Sequence, residues 1–502
     1  MPGKLPSGCF YHIFVHSFSD SNGDGIGDLR GITQRLDYLE QLGIDGIWLS
    51  PIHPSETYHK YDVLDYYGID PQFGTMADFE ELLAQCHRRG IRIVLDLVLN
   101  CSGRHHPAFL KALEDPTCPE RGWYWFADSA GAEALDHDSC WNGLPSWHTA
   151  ENGQQYIGIY GKSMPDYRFE DPGIREECKR IARFWLEKGV DGFRLDSAMH
   201  LYSTSEVDFD VSHHERNISW WQEFREYCRS VSPECLLIGE VWTESGERAL
   251  YYKCLDSSFH FYLGNYIQDM LQGRLSPVVF NRHMTSACRS GAMVTPDYVD
   301  APFLTNHDMP RFAETSGFGT EDLKLSAAIY LTLEGIRFVY YGEELGLAPY
   351  DDDDCPQFPR KDSMARSRTA FPWEEGQCGF RFRNGYKSVP LAQQQADPDS
   401  LLNFYRRVIR LCRENKALRH GRWTAGDTTA QLLSYHMTWG SERITVYHNL
   451  TQSKQLIPMP APDALDLMTG QRPAQDESGR WILLPKHSTI FYINQTVEDE
   501  QQ

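Results

Sequence analysis

Apolar positions along the first hundred residues fall into two alternating rhythms. Short runs dense in apolar and β-branched residues read as strands: Phe10–Phe18, Ile44–Leu49 and Ile91–Leu99. Between them, apolar residues recur every three or four positions over Ile32–Leu42 and Met76–Arg89, the spacing of amphipathic helices. Strands alternating with helices argue for parallel βα units. The rhythm stops after Asn100. Residues 101–167 are rich in Trp, His, Gly, Pro and Asp with weak periodicity, too long for an ordinary βα connection, and read as an inserted subdomain. The alternation then resumes with a helix over Pro172–Lys188, a strand over Val190–Asp196 and a helix over Ile218–Ser230. Strands over Cys235–Glu240, Ser257–Phe261 and Ala301–Thr305 follow, then a helix over Lys324–Leu333 and a strand over Ile336–Tyr341. Eight strands are the number that closes an α/β fold into a (β/α)8 TIM barrel. A helix over Ser400–Asn415 precedes a change of style. Short strands over Gln431–Met437, Arg443–Asn449, Arg480–Leu484 and Thr489–Asn494 alternate with turns and predict a C-terminal all-β sandwich. The expected division is a barrel of residues 1–100 and 168–420, an insertion of residues 101–167 after strand 3, and a β domain of residues 421–502.

Charges interrupt this pattern at strand ends. In Gly192-Phe193-Arg194-Leu195-Asp196, Phe193 and Leu195 share one face, and Gly192, Arg194 and Asp196 the other. The second face delivers a carboxylate to the C-terminal mouth of a parallel barrel, with a guanidinium beside it that favours its ionised form. The structural alternative is a strand-end ion pair that fixes a loop. Two further strands end in acids, at Glu240 and Asp308. Crowded carboxylates repel, so one remains ionised as a nucleophile while burial keeps another protonated, the pairing that a retaining glycosidase requires. A third ionised acid braces a cationic transition state.

Composition narrows the partners. With 502 residues, 41% hydrophobic and 13% aromatic, the chain has ample material for a large core. A formal charge of −22 argues against nucleic acid or an anionic membrane and favours a neutral substrate. The Asp351–Asp354 run reads as a solvated loop. The N-terminus, Met1-Pro2-Gly3-Lys4-Leu5-Pro6, shows no apolar core of signal-peptide length, and no stretch approaches a membrane span. Thirteen scattered cysteines without CxxC pairs give neither a disulfide framework nor a zinc site. The expected location is cytoplasmic, or secreted where a signal has been removed.

Four segments in order, Asp96-Leu97-Val98-Leu99-Asn100, Gly192-Phe193-Arg194-Leu195-Asp196, Gly239-Glu240-Val241 and Thr305-Asn306-His307-Asp308, resemble the α-amylase family of glycoside hydrolases. The resemblance covers nearly the whole chain. It implies Asp196 as nucleophile, Glu240 as general acid/base and Asp308 as transition-state stabiliser. It implies that Arg194 orients Asp196, that His307 and His200 contact substrate, that Tyr61 stacks on the sugar being cleaved, and that Asp62 holds its distal hydroxyls. Asp96 and Asn100 read as structural or metal-linked. Where relatives carry histidine after the first asparagine, this chain has Cys101, a weak donor, so either His105 or His106 fills in or affinity in that subsite is reduced. Met199-His200 replaces a Lys-His pair, and Met164-Pro165-Asp166-Tyr167-Arg168 mixes two subfamily patterns. Ser197, where α-1,6-acting relatives tend to have valine, favours α-1,4 bonds of maltooligosaccharides or starch. The rival readings are an exo-acting α-glucosidase or glucosyl transferase, supported by Asp62, and a non-catalytic amylase-like scaffold, disfavoured by the three acids.

The loop Asp20-Ser21-Asn22-Gly23-Asp24-Gly25-Ile26-Gly27-Asp28 sets oxygen donors at positions 1, 3, 5 and 9, with glycine at 6 and the Ile26 carbonyl at 7. Position 12 is Gly31, so the bidentate glutamate of an EF-hand is missing. A metal-free Asp/Gly turn is one reading. The resemblance favours a structural Ca2+ or Mg2+ held by Asp20, Asn22, Asp24, Ile26 and Asp28.

Overall fold

The computed structural model describes residues 7–132, 135, 140–141, 144–202, 211–348, 364–373, 390–458, 465–486 and 488–494. Its centre is a sheet of eight parallel strands: β1 Gly8–Ile13, β2 Gly46–Leu49, β3 Arg92–Leu97, β4 Gly192–Leu195, β5 Leu236–Gly239, β6 Ser257–Phe259, β7 Asp300–Ala301 and β8 Ile336–Tyr340. Neighbours run β7-β6-β5-β4-β3-β2-β1-β8. The open seam between β7 and β8 is crossed by a Phe303–Phe338 bridge and by the Phe338 N–H donating to the Pro302 carbonyl at 2.9 Å. The sheet thus closes as the predicted (β/α)8 barrel.

Side-chain alternation sorts the strands into two cores. Phe10, Trp48, Val94, Ile238, Phe259, Ala301 and Phe338 fill the barrel interior. Tyr11, Ile47, Leu95, Phe193, Leu195, Leu237 and Val339 face outward into the larger cluster beneath the helices. At Gly192 a Cβ would fall 2.1 Å from the Leu236 carbonyl oxygen, so only glycine lets β4 lie against β5 at this register. The helices carry their own punctuation. Thr75 and Asp78 form a reciprocal cap on Met76–Arg88, and Asp171 caps Pro172–Glu187, which has proline in its first turn.

Several predicted boundaries move. The strand expected over Phe10–Phe18 ends at Ile13, and Val15–Phe18 turns into a short helix whose apolar side chains still reach the core. The run therefore looks uniform in sequence although its backbone changes. The helix expected over Ile32–Leu42 breaks at Arg35 (φ −104°, ψ 6°) into Leu29–Gln34 and Leu36–Leu42. A helix over Pro277–Val294 was not expected at all, although Ser276 caps it and Pro277 opens it. The inserted segment holds a helix, Pro107–Glu114, and the paired strands Trp147–Thr149 and Gln155–Ile157. It returns to the barrel where Cys101 bridges Asp166 and the Tyr167 N–H reaches the Asn100 carbonyl at 2.9 Å. At the C-terminus, Arg422–Ala425, Leu432–Trp439, Glu442–Asn449 and Ser488–Asn494 make a four-stranded antiparallel sheet, beside a separate pair, Gln455–Ile457 and Trp481–Leu483. The Asp351–Asp354 run lies outside the described residues.

Candidate active site

β3 and β4 pair so that Asp96 stands opposite Arg194, and both point into the barrel mouth. Arg194 is fully buried and lies with its guanidinium 5.1 Å from the Trp48 ring centroid. Its Nη1 donates to Asp96 Oδ1 at 2.9 Å and to Asp196 Oδ1 at 2.5 Å, and its Nη2 lies 2.7 Å from Glu240 Oε2. One cation therefore serves three carboxylates. Asp196 and Glu240 each follow the last residue of their strand, which places both at the C-terminal rim.

Three acids around one guanidinium cannot all ionise at ordinary carboxylate pH. Burial pushes Glu240 up to about 8; Asp196 and Asp308 add to the rise, and Arg194 and the Ser197 N–H oppose it. Burial also raises Asp196, to about 6, with Arg194 opposing and Asp96 and Asp308 reinforcing. The group can thus hold one proton near neutrality, and the larger rise places it on Glu240.

Tyr61 and His307 stack at 5.4 Å with nearly parallel rings. The Tyr61 hydroxyl donates to Asp96 Oδ2 at 2.9 Å, and His307 Nε2 lies 2.5 Å from Tyr61 Oη and 3.0 Å from Asp308 Oδ2. Burial, then the Arg368 and Arg194 charges, hold His307 well below its usual range, so it is neutral. With the tyrosine proton committed to Asp96 and Asp308 an acceptor, Nε2 carries the imidazole proton. Trp48 adds a third bond to Asp96, from Nε1 at 3.1 Å.

Asp308 is the open member of the set, its side chain 32% exposed. Arg368 holds it from outside: Nη2 donates to Asp308 Oδ1 at 2.7 Å, Nε to the His307 carbonyl at 3.0 Å, and Nη1 to Tyr58 Oη at 2.8 Å. Sequence reasoning missed Arg368, Tyr58, Trp48 and Tyr160. Trp48 had a signal, an aromatic at an inward position of a predicted strand. Arg368, sixty residues from Asp308 in a segment without periodicity, had none.

Among the other expected residues, Asp62 is buried, with Oδ1 accepting from the Ser55 and Thr57 hydroxyls and Oδ2 without a hydrogen bond. His200 lies half-buried in the turn after Asp196, its N–H bonded to the Ser197 carbonyl at 2.9 Å. Cys101 is sealed from solvent, and burial, then the charges of Asp166, Asp196 and Asp62, push its thiol well up. Of the two nearby histidines, His105 pairs with Glu56 at 2.6 Å, and His106 caps Pro107–Glu114. Asp166 is a further acid at this place, pushed up to about 8 by burial, with the Ile159 N–H on one oxygen and no hydrogen bond to the other.

The loop of residues 20–28 stands apart from these acids. Its donors are all oxygens, which suits a hard cation such as Ca2+ or Mg2+. Asp20 accepts the N–H groups of Asn22, Gly23 and Gly25, and Asp28 those of Ser21 and Gly31. Among the described residues, no three His, Cys, Asp or Glu side chains gather as a metal-binding group. No helix among them is long and apolar enough to cross a membrane.

A family model described as "Alpha amylase, catalytic domain" matches residues 12–421. Alpha-amylase 3 of Dictyoglomus thermophilum is 36% identical over 451 residues, which cover 88% of this chain and 84% of that protein. A 4-alpha-glucanotransferase of Thermotoga maritima is 31% identical over 451 residues, covering 88% and 95%. The crystal structure of an alpha-amylase from H. orenii superposes with a TM-score of 0.85 at 34% identity, covering 97% of this chain and 99% of that one. The chain belongs to the α-amylase family and is a glycoside hydrolase.

Proposed function

We propose that the protein is a retaining α-glucosidic hydrolase acting on α-1,4 bonds of maltooligosaccharides or starch. In this reading Asp196 attacks the anomeric carbon, Glu240 protonates the leaving oxygen and then activates water, and Asp308 stabilises the oxocarbenium-like transition state. The observation that carries it is the shared guanidinium. Two nitrogens of Arg194 contact Asp196 and Glu240, which favours the short carboxylate separation of retaining enzymes, about 5–5.5 Å. The unequal upward displacement of the two acids, to about 6 and about 8, suits an ionised nucleophile beside a protonated acid near neutral pH. Tyr61, Asp62, His200 and His307 bind the sugar in this reading, and Arg194 positions Asp196.

The test is proton NMR of fresh product from maltoheptaose, beside isomaltose and panose. Retention requires the α-anomer first; β-product first rejects double displacement, and a strong preference for isomaltose rejects the α-1,4 assignment.

A second reading, transfer to a sugar acceptor, is favoured by one feature. Trp242, two residues beyond Glu240, is 43% exposed and lies flat on Phe261 at 4.4 Å. A supported aromatic face beside the acid can hold an acceptor saccharide. Accumulation of products longer than maltoheptaose selects this reading; glucose first indicates exo action, and a spread of shorter products endo hydrolysis.

The oxygen-only donor set of Asp20, Asn22, Asp24, Ile26 and Asp28 supports a structural Ca2+ or Mg2+ in the first βα loop. Chelation is expected to lower Tm, because a ligand bound only by the native state stabilises it. Asp24→Ala is expected to abolish that sensitivity, and an equal chelator shift in both proteins rejects the site.

A further inference from the structure

Directly after Asp196 the chain turns at Ser197, whose φ of +44° lies in the left-handed region that serine adopts only at a cost. Such a conformation persists where its surroundings over-determine it. Three contacts do so. Tyr160, from the inserted segment, donates its hydroxyl to Ser197 Oγ at 2.6 Å. The Ala198 N–H reaches the Glu240 carbonyl at 3.0 Å, and the His200 N–H returns to the Ser197 carbonyl at 2.9 Å. The Ser197 N–H is thereby aimed at Glu240 Oε2, 2.9 Å away.

The same Oε2 lies 2.7 Å from Arg194 Nη2, an ion-pair contact without a hydrogen bond, so one donor and one cationic nitrogen face it, whereas Oε1 has no hydrogen-bond partner among the described residues. A proton on Oε2 would oppose the Ser197 N–H and the Arg194 charge. A proton on Oε1 opposes neither, and leaves Oε1 able to donate outward.

We propose that Tyr160 is a positioning residue: by anchoring Ser197 in its left-handed turn, it aims the Ser197 N–H at Glu240 Oε2 and so fixes the acid proton on Oε1. The proposal rests on Glu240 being the general acid. It makes the inserted segment, and not the barrel alone, responsible for the acid's orientation. The other groups facing Glu240 are Arg194 and Asp196 on the β4 side, Asp96 at β3 and Asp308 beyond β7. None of them contacts Oε1, and none substitutes for the bond that Tyr160 holds in place.

The experiment compares Tyr160→Phe, Ser197→Ala and Tyr160→Phe/Ser197→Gly in the full chain. The readouts are kcat/KM against pH, on maltotriose and on an aryl maltoside with a good leaving group, and Glu240 titration by infrared spectroscopy with 13C-glutamate. The Ser197 N–H favours the ionised form, so its loss raises the Glu240 pKa. The alkaline limb is expected to move up by about half to one pH unit in both single variants. Turnover of maltotriose is expected to fall roughly tenfold, and that of the aryl maltoside far less, because protonation matters less for a good leaving group. Glycine enters the left-handed region freely, so the Tyr160→Phe/Ser197→Gly variant is expected to bring the limb back toward wild type. An unmoved limb and unmoved Glu240 titration in Tyr160→Phe overturn the proposal, as does equal loss on both substrates or no recovery with glycine. If Tyr160→Phe does not fold, Ser197→Ala decides on the same readouts. Glu240→Gln separates the two levels. If it retains the wild-type alkaline limb, the general-acid assignment fails, and the infrared titration alone then judges the brace.

Discussion

Two arginines hold the acids of this cleft, and they hold them from opposite sides. Arg194 rises from the barrel interior, fully buried, and binds Asp96, Asp196 and Glu240 at once. Arg368 comes from a segment beyond the last barrel strand, is also buried, and clasps Asp308 together with the His307 carbonyl and the Tyr58 hydroxyl. The inner arginine sits on a strand, in register with its partners, so its geometry is set by the sheet. The outer one sits in a short stretch of 3-10 helix, Ala365–Arg368, outside the sheet. The inner acids are crowded and raised, and the outer one is half-open to solvent. This division suits a site in which two groups exchange protons and bonds while the third contributes only charge.

The largest effect that would break this division is in activity. Asp196→Asn is expected to reduce kcat by several orders of magnitude with the fold retained, measured on maltooligosaccharides with circular dichroism as control. More than a tenth of wild-type activity would remove Asp196 from its role. Asp308→Asn is expected to lower kcat far more than it raises KM, as the proposed transition-state role of its charge requires.

Next is stability, where the two arginines separate. Arg194→Gln leaves three buried carboxylates without their cation and is expected to cost about 3–5 kcal/mol in urea unfolding. Arg368→Gln removes a pair with a partly exposed acid and is expected to cost no more than about 1 kcal/mol, while lowering kcat roughly tenfold to a hundredfold. Equal destabilisation by the two would erase the distinction.

The last test sharpens it through pH. Glu240 binds its proton more tightly folded than unfolded, because burial raises it to about 8. Its contribution is therefore fully present below the unfolded glutamate range and is lost as pH rises toward 8. Glu240→Gln is expected to flatten the fall in stability between about pH 4.5 and 8. An unchanged slope would mean that Glu240 is not held protonated.

The inner set was legible in the sequence because strand alternation is local. Gly192, Arg194 and Asp196 share a face by periodicity alone, and the barrel count followed from eight such runs. The outer set was not, since nothing near Arg368 marks a partner sixty residues away. The same limit explains Tyr160, which lies in a segment without periodicity, and the helix Pro277–Val294, whose buried stripe is diluted by β-branched and small residues. The break at Arg35 was hidden because apolar spacing continues across it. Near Cys101 the sequence could not show where the histidines point: His105 pairs with Glu56, and His106 caps Pro107–Glu114.

The seam between β7 and β8 gives the barrel a direction of compliance. Every other neighbouring pair is zipped by a strand ladder, whereas here the closure is a single bridge just upstream of the His307-Asp308 segment. On the β6 side, β7 is held by its ladder, by the Arg248 ion pair to Asp300 and by a hydrogen bond between His260 and Asp300. The wall carrying Asp308 is thus hinged along one edge and lightly latched along the other. The fewest backbone bonds in the wall therefore lie beside the outer acid, and Arg368 supplies from side chains the hold that the seam lacks.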